Sequence, residues 1–517
     1  MGRAWNRSSF LVAAVSVDLG IGDWYRPRSY MRFFRLVLVA AMMSACGSDP
    51  PVEESVCDEV AGGDAVCQTL DPSAPVCVAG TCEECRNPAT CDESTPLCVS
   101  NSCQPCGELG ESMGCAARSA ATPFCAASGR CVECLDHADC PSGVCDRDAS
   151  TCVSTEQVVY VADGGDNGAA GVDTPQCGSV AEPCLTIGYA ITNRVDEGAG
   201  RNWLRLREGT YTDVPQLQNQ SLRIVSNEGA RLTASGDKVV LQALDGVDLL
   251  LDGISLSRGG KGLGCDLNTD NPSTVRFSRG EITGMNANTL SGSGIGTNNC
   301  RVQIEQATVA QNDGLGIDMR YGALRLERSE VRSNRRGGIR IEDTDFVIRN
   351  NLILFNGASD APGSLVGGVE IQVDGPNERV FEFNSVIDNR KLADVLGAAG
   401  IHCQTIAPIE IRNSLIWDNS KGTATEDLQV SYFCTVSYSL VQGGLVAAPM
   451  LPGLSVGEGV IDADPRFVDP FRFDFRLRSD SPAKDTADPT STADVDLDGN
   501  PRPVGNGHDI GAYEVQE

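Results

Sequence analysis

The sequence predicts an all-β fold, a parallel β-helix (solenoid), preceded by a disulfide-rich repeat region. Two observations predict the solenoid: a glycine-led phrase returns five times within residues 294–419, and a second phrase that ends in Asn separates its copies. The first phrase opens with Gly-Ile, once Gly-Val, and its copies begin 22, 22, 30 and 32 residues apart, at Gly294, Gly316, Gly338, Gly368 and Gly400. Recurrence at this spacing is typical of proteins whose units stack into a solenoid.

Polar and apolar residues alternate within each glycine-led copy, so each copy is predicted to be a β-strand with one buried face. The second phrase is an apolar run that closes on an Asn, and these residues are Asn312, Asn334, Asn356, Asn389 and Asn419. Asn side chains that point inward at a bend can hydrogen-bond to the next coil. We therefore expect a ladder of Asn side chains along the solenoid.

Length and charge limit the classes of partner. A chain of 517 residues is too long for one compact core, and its low aromatic content of 5 % with 56 glycines suits a solenoid filled by aliphatic residues. The formal net charge of −29 makes nucleic acid a poor partner. An acidic polysaccharide would need a local basic strip to bind.

Residues 1–46 carry an export pattern. From Met31, the expected start of the chain, a basic stretch leads into a short apolar run and then into small residues before Cys46, as in a secretory signal peptide. The apolar run is too short to span a membrane as a helix. Residues 43–46, Met-Ser-Ala-Cys, resemble the bacterial lipoprotein lipobox. That resemblance implies cleavage before Cys46, lipidation of its thiol and a polar tether over 47–56. The alternative is an ordinary secretory signal, with Cys46 in a disulfide.

Residues 57–152 contain sixteen of the 23 cysteines, in four sets of four with two residues between sets. Such modules have little apolar material and depend on disulfides, so two bridges per module are expected, with the connectivity left open. Zinc at the Cys-x-x-Cys pairs is the less favoured alternative, because these pairs fall at module boundaries. This cysteine content predicts an oxidising compartment outside the cytoplasm. The region is expected to serve as a stalk or an interaction surface.

Six cysteines remain when Cys46 and the four modules are set aside. Because six is an even number, all the cysteines except Cys46 can form disulfides. Proximity in sequence and the expected adjacency of coils predict three bridges in the solenoid, Cys177–Cys184, Cys265–Cys300 and Cys403–Cys434.

The third region, 157–517, begins with an apolar strand, a Gly/Asp loop and the helical spacing of Ile187, Ala190 and Ile191. Because an open solenoid end exposes core and unpaired backbone, a capping helix is expected there. This order, followed by Leu-Arg-Glu-Gly-Thr-Tyr at 206–211, resembles the start of bacterial pectate-lyase-like right-handed β-helix proteins.

The end of the chain resembles the same group. From about residue 462 it carries an Asp-rich stretch and closes on Asp-Ile-Gly-Ala-Tyr-Glu at 509–514, similar to the C-terminal end of many exported β-helix proteins. Residues 462–517 are expected to cap the last coil.

Aligning the five glycine-led strands stacks their outward residues into two columns. The first column reads Gly296, Asp318, Arg340, Glu370 and His402, and the second reads Asn298, Arg320, Glu342, Gln372 and Gln404. Successive coils of a parallel sheet lie about 4.8 Å apart, so charged neighbours within a column would touch. The resemblance implies that such a face carries carboxylates for calcium and an Arg or Lys base in polysaccharide lyases.

The candidate catalytic or sugar-binding residues are therefore Asp318, Arg340, Glu342, Glu370 and His402. The alternative is a solvated face whose alternating charges stabilise neighbouring strands. The chain departs from the lyase pattern, since no compact Asp cluster for calcium is evident in the sequence.

A calcium ion is the one cofactor that the sequence suggests. Asp494, Asp496 and Asp498 with Gly499 resemble the first half of a calcium loop, but Gly505 stands where the loop requires Glu. A turn of the C-terminal cap is the alternative.

Together these features predict an exported protein, lipid-anchored at the outer membrane or cell surface, that binds carbohydrate or another surface partner. It would contact the membrane through the lipid only and bind no nucleic acid. A polysaccharide lyase or glycoside hydrolase that acts on an acidic or neutral polysaccharide is the first alternative, and a structural adhesin is the second.

Overall fold

The computed structural model describes most of the chain from Cys67 onward. The described residues are 67–68, 73–78, 81–85, 91–92, 95–100, 102–109, 113–164, 170–212, 214–266, 271–286, 292–358, 366–375, 378–425, 427–430, 433–443 and 455–516. The signal peptide, lipobox Cys46 and tether predicted for 1–56 lie outside these residues. The described residues all belong to one compact unit. Within the described part of the chain, none of the helices has both the length and the apolar character that crossing a bilayer requires.

The solenoid is a right-handed parallel β-helix, as the sequence predicted, and its coils have three strand faces. Face 1 carries the glycine-led strands. Its strands are Leu217–Gln218, Val239–Leu244, Lys261–Asp266, the first halves of Ile295–Glu305 and Leu315–Glu327, Gly337–Glu342, Val369–Val373, Ile401–Thr405 and Leu428–Val430.

Face 2 follows face 1 along each coil, and two long strands, Ile295–Glu305 and Leu315–Glu327, run through the corner between them. Its strands are Val158–Val161, Trp203–Leu206, Ser221–Val225, Asp248–Asp252, Thr274–Ser278, the second halves of the two long strands, Asp345–Arg349, Arg379–Glu382, Ile409–Arg412, Cys434–Ser437 and Ser455–Val456.

Face 3 carries the Asn-terminated phrases and has ten short strands in the described residues. They are Gly209–Tyr211, Ala230–Thr233, Ser255–Ser257, Glu281–Thr283, Thr308–Ala310, Glu330–Arg332, Leu352–Leu354, Ser385–Ile387, Leu415–Trp417 and Leu440–Val441. Beyond it, Arg390–Lys391, Ser420–Lys421 and Ala424–Thr425 form a small separate sheet.

One continuous row of aliphatic side chains fills the interior behind face 1. The strand register pairs each member with the next, and every side chain is at most 1 % exposed: Ile295, Ile317, Ile339, Val369 and Ile401. This confirms that the glycine-led phrases are equivalent rungs. Each rung removes the apolar side chains of its neighbours from water, which is the main source of solenoid stability.

The predicted Asn ladder is present at the turn between face 3 and face 1. Each Asn Nδ2 donates to the Oδ1 of the Asn one coil later, at 2.8–3.0 Å, and the ladder runs through Asn312, Asn334, Asn356, Asn389 and Asn419. The last amide donates to the carboxylate of Asp427 at 2.6 Å. All these side chains are buried, so the ladder satisfies polar groups that water cannot reach.

The open N-terminal end is covered by the helix Ile187–Arg194, where the sequence predicted a cap. Thr186 caps this helix by accepting a hydrogen bond from the Tyr189 N–H. Ile187 and Ala190 are fully buried against the first coils.

The second to fourth cysteine-rich modules share one disulfide pattern, in which the first cysteine bonds to the third and the second to the fourth. In the second to fourth modules the bridges are Cys85–Cys98, Cys91–Cys103, Cys106–Cys125, Cys115–Cys131, Cys134–Cys145 and Cys140–Cys152. In the first module Cys67 bonds to Cys82, and Cys57 lies outside the described residues. These cysteines are therefore consumed by disulfides rather than left as zinc ligands.

A two-stranded hairpin joins the third and fourth cysteines of every module. The strands are Val76–Val78 with Thr81–Glu83, Leu97–Val99 with Ser102–Gln104, Phe124–Cys125 with Cys131–Val132, and Cys145–Asp146 with Thr151–Cys152. The helical turns outside the solenoid cap are short: the α-helix Met113–Arg118 and the 3-10 turns Cys106–Leu109, His137–Asp139, Thr155–Gln157, Glu197–Ala199 and Pro470–Arg472.

The three cysteine pairs predicted within the solenoid are bonded in the structure. Cys177–Cys184 closes the loop before the capping helix, while Cys265–Cys300 and Cys403–Cys434 link successive coils.

The fourth cysteine-rich module packs directly onto the outer side of face 2. Val144 of the module and Val153 directly after it are buried in one apolar cluster with Val158, Tyr160 and Trp203 of the first coils. The Tyr160 hydroxyl also donates to the Ser142 carbonyl at 2.9 Å. This module is therefore part of the body of the β-helix domain rather than a projecting stalk.

The C-terminal segment covers face 3 from the side, whereas the sequence analysis expected it to cap the last coil. The strands Phe467–Asp469 and Asp474–Leu477 form a hairpin, and the following chain buries Ile510 and Ala512 against outward side chains of face 3. The Gly511 N–H donates to the Asn413 carbonyl at 2.8 Å. The physical reason is that face 3 is apolar on its outer side in these coils, so it needs a cover.

Candidate functional site

A row of polar side chains runs along the outer side of face 1, one per coil. Strand register places Asp318 beside Arg340, Arg340 beside Glu370, and Glu370 beside His402. Alternation along each strand turns these residues outward because their neighbours in the strand fill the core. We call these four residues the recessed row, since each side chain is only 13–20 % exposed.

Asp318 and Arg340 form a bidentate pair at the N-terminal end of the row. Arg340 Nε donates to one carboxylate oxygen at 2.8 Å and a terminal nitrogen donates to the other at 2.6 Å. Burial lowers the pKa of the Arg340 guanidinium, but the hydrogen bonds and charge of Asp318 outweigh it, with smaller contributions from Glu370 and Glu342, so the pKa is raised. The protonated guanidinium is therefore favoured, which opposes a role for Arg340 as a catalytic base.

Glu370 and His402 form the second pair, with His402 Nδ1 lying 3.4 Å from a Glu370 carboxylate oxygen. The loop that ends at Ala399 lies over this end of the row. A Cβ atom on Gly397 would be 2.6 Å from the imidazole ring, and Gly397 has a φ of +89°, so glycine permits the close approach. The loop thus shields the imidazole and fixes its position.

The second column lies further out in solvent. Arg320 Nε is 3.5 Å from Glu342 and 3.9 Å from Asp318, and these side chains of Arg320 and Glu342 are 46 % and 37 % exposed. Gln372 and Gln404 are exposed. Glu342 is therefore beside the recessed row, within reach of a ligand that lies along it, but is not enclosed like the other candidates.

Lys261 is a residue of this face that sequence reasoning missed. Gly264 and Gly296 occupy the two positions of the column on the coils before Asp318, so no side chain projects from the face there. Lys261 lies across Gly296, and its Nζ donates to the Gly296 carbonyl at 3.4 Å. The available signal was the pair of aligned glycines, because two successive positions without a side chain make room for a neighbouring one.

The structure does not gather the predicted calcium ligands into one site. Asp498 accepts two hydrogen bonds from Arg476, at 2.9 and 2.8 Å. Asp496 is buried and accepts from the backbone N–H groups of Asn500 and Glu514. Among described residues, the groups of potential ligand atoms within 4.8 Å of one another do not include Asp494, Asp496 and Asp498. A calcium ion there would have to displace Arg476.

The recessed row offers alternating hydrogen-bond acceptors and donors in fixed positions. Carboxylates accept, a guanidinium donates, and an imidazole does either according to its protonation. Spacing of about 4.8 Å per coil turns these groups into a regular track along the solenoid axis. Such a track can hold an extended ligand that carries hydroxyl or carboxyl groups at regular intervals.

A match to a protein-family model agrees with the fold. Residues 252–429 match the family model described as right handed beta helix region, which includes the coils of the recessed row. Among solved structures, the chain resembles the crystal structure of pectate lyase Pel9A, with 15 % identity, a TM-score of 0.49, and coverage of 70 % of this chain and 98 % of that chain.

Two further structures are more distant. The complex structure of XylC with xylose shares 9 % identity, covers 61 % of this chain and 65 % of that chain, and has a TM-score of 0.32. The crystal structure of the periplasmic alginate epimerase AlgG shares 11 % identity, covers 54 % and 84 %, and has a TM-score of 0.25. No curated protein sequence matches the chain.

Proposed function

We propose that this protein is an exported, lipid-anchored surface protein that binds a carbohydrate chain along face 1. The observation that carries the proposal is the recessed row Asp318, Arg340, Glu370 and His402. Its groups are already paired and shielded before any ligand arrives, so binding costs little side-chain entropy. Sugar hydroxyls can both donate to the carboxylates and accept from the guanidinium.

Export and lipid attachment are supported by the cysteines of the chain. Ten disulfides lie among the described residues, which suits an oxidising compartment. Cys46 is the odd cysteine in a chain of 23 and is thereby left for lipidation. Mass spectrometry of the protein from its native membrane tests this proposal: a diacylglyceryl-modified N-terminal Cys46 supports it, and an unmodified or disulfide-bonded Cys46 contradicts it.

A lyase that uses Arg340 as its base is disfavoured, because Asp318 holds the guanidinium in its charged form. The pair of Glu370 and His402 makes a glycoside hydrolase the second candidate function. A shielded carboxylate next to an imidazole is an arrangement that can transfer protons. A calcium requirement stays a proposal attached to Asp494, Asp496 and Asp498.

Glycan-array binding followed by analysis of the products separates these functions. We expect selective binding that Arg340→Ala and Glu370→Gln each weaken by at least about tenfold, the effect of losing one charged hydrogen bond. Gln404→Ala, in the exposed column of the same face, is the matched control and should change binding little. Unsaturated or shortened sugars that disappear in Glu370→Gln would establish the enzyme instead. Absence of any glycan binding would leave the structural adhesin.

A further inference from the structure

A cleft, separate from face 1, lies between the fourth cysteine-rich module and the outer side of face 2. Its volume is about 280 Å³, close to the lower end of the roughly 300–1,000 Å³ range of small-ligand sites. One wall is the module hairpin from Cys145 to Asp148, and the other wall is made by the coils that carry Arg276, Gln303 and Arg328. Sites of this kind occur preferentially where two structural units meet.

The two walls are held in a fixed relation by buried contacts. Asp252 of face 2 is 3 % exposed and accepts two hydrogen bonds from Arg279, at 2.8 and 2.5 Å. His137 of the module places Nε2 3.1 Å from the same carboxylate, while its Nδ1 accepts the Cys145 N–H at 3.0 Å. The apolar cluster around Val144 and Tyr160 seals the joint behind these polar groups. The cleft is therefore a built feature of the folded domain.

The polar lining of the cleft is balanced in charge, although the whole chain is strongly acidic. Four guanidinium groups face it, from Arg147, Arg276, Arg279 and Arg328. Four carboxylates face it as well, from Asp146, Asp148, Asp252 and Glu305. A free anion or cation would meet as many like charges as opposite ones, so a strongly charged ligand gains little there.

Register arranges the donors regularly. Arg276 pairs with Gln303 on the next coil, and Gln306 and Arg328 follow Arg279 at the corner between faces 2 and 3, each with a φ near +50°. Arg276 is bound to Asp148, and Arg328 donates to Glu305 at 2.5 Å, but both guanidiniums keep about a quarter of their side-chain surface exposed. Guanidinium, amide and carboxylate groups thus alternate along one wall.

We propose that this cleft binds one or two rings of a neutral oligosaccharide. A polyol needs acceptors for its hydroxyl hydrogens and donors for its oxygens, and carboxylates and guanidiniums supply both within one cleft. Leu250 and the aliphatic stem of Arg276 provide an apolar surface for the C–H face of a sugar ring. This site uses residues of face 2 and of the module, so it does not depend on the recessed row.

Titration with defined sugars tests the proposal. The probes are neutral tetrasaccharides of glucose, galactose, mannose or xylose, with a galacturonate tetrasaccharide as the charged comparison. Arg328→Gln removes a cleft donor that does not touch the module, and we expect it to weaken binding of a neutral probe at least about tenfold. The matched control is Arg325→Gln, three residues earlier in the chain and outside the cleft lining, which pairs with Glu327 and should leave affinity unchanged.

Hydrogen exchange of the wild-type protein supplies a second readout that needs no variant. Binding in the cleft should slow exchange at residues 276–279 and 303–306, and binding at face 1 should slow it at Arg340 and Glu370 instead. The two proposals can therefore fail separately. Binding of no neutral probe, protection confined to face 1, or equal losses in Arg328→Gln and Arg325→Gln would each overturn the cleft proposal.

Discussion

Arg340 donates two hydrogen bonds, of 2.8 and 2.6 Å, to the carboxylate of Asp318 on the preceding coil. Both side chains are largely shielded from solvent, and the bidentate geometry fixes the plane of the guanidinium. The remaining donor and acceptor positions of this pair are therefore held in one orientation. The recessed row is a rigid surface whose shape is set by the stacking of coils beneath it.

Removing Arg340 should destabilise the fold as well as weaken binding. Arg340→Ala leaves the Asp318 carboxylate shielded and without its main donor, so we expect the free energy of unfolding to fall by about 1.5–3 kcal/mol. Arg320→Ala is the control, because Arg320 is nearly half exposed and makes only long contacts, and should cost under about 1 kcal/mol. Urea unfolding of both variants measures the difference, and equal losses would contradict a special role for the Arg340 pair.

The Asn ladder should be among the most sensitive parts of the solenoid. Asn389→Ala removes an amide that donates to Asn419 and Ile353 and accepts from Asn356, all fully buried. Unpaired buried groups remain on both sides, so we expect a loss of about 2–4 kcal/mol in the free energy of unfolding. Gln404→Ala, on an exposed position, should stay within about 0.5 kcal/mol. A ladder variant as stable as this control would show that the amides contribute nothing.

The end of that ladder gives the stability a pH dependence. Burial raises the pKa of Asp427 to about 6, against the opposing effect of hydrogen bonds from Asn419. The folded protein therefore binds this proton more tightly than the unfolded chain, whose Asp pKa is about 3.9. The resulting stability is fully present below pH 4 and is lost as the pH rises through 6.

Asp427→Asn isolates this effect, because an amide oxygen still accepts from Asn419 and no longer titrates. The free energy of unfolding of wild type minus variant should fall by roughly 2–3 kcal/mol between pH 4 and pH 7. Asp509, whose pKa burial also raises to about 6, is present in both proteins and cancels. A flat profile for Asp427→Asn would refute the assignment.

The loop over His402 can be tested with two glycines. Gly397→Ala and Gly443→Ala both place a side chain at positive φ, at a cost of about 1–2 kcal/mol. Only the first would also push the His402 ring, since no atom of the described residues lies within 4 Å of a Cβ atom on Gly443. We expect an added cost of roughly 0.5–1.5 kcal/mol for the displaced rotamer, together with a change in the His402 ring resonances. Unchanged resonances in Gly397→Ala would mean that the loop does not position the imidazole.

Much of the solenoid could be predicted because every rung repeats the same physical requirement. One apolar residue must point inward beside the previous one, so Ile317 and Ile339 fix the register, and the outward pairing of Asp318 with Arg340 follows from alternation. The contact between these two side chains could be predicted from the strand register alone. Their shielding from solvent could not be predicted, since it depends on loops such as the one at Gly397.

One strand of face 3 carries a sequence signal for the lateral cover. Leu352, Ile353 and Leu354 are consecutive apolar residues in one strand, and a strand of this kind is buried on both sides. Because both the inward and the outward positions of this strand are apolar, the sequence indicates that another segment covers these coils. Docking of the fourth module had no such signal, because the contact of His137 with Asp252 joins distant residues and repeats nowhere in the sequence.

A crystal structure of the protein soaked with the best-binding oligosaccharide from the array tests carbohydrate binding at face 1 most directly. The account predicts sugar rings along the solenoid axis, with hydroxyl groups within hydrogen-bond distance of Arg340 and Glu370. A sugar bound only elsewhere on the molecule, with the recessed row left to water, would contradict it.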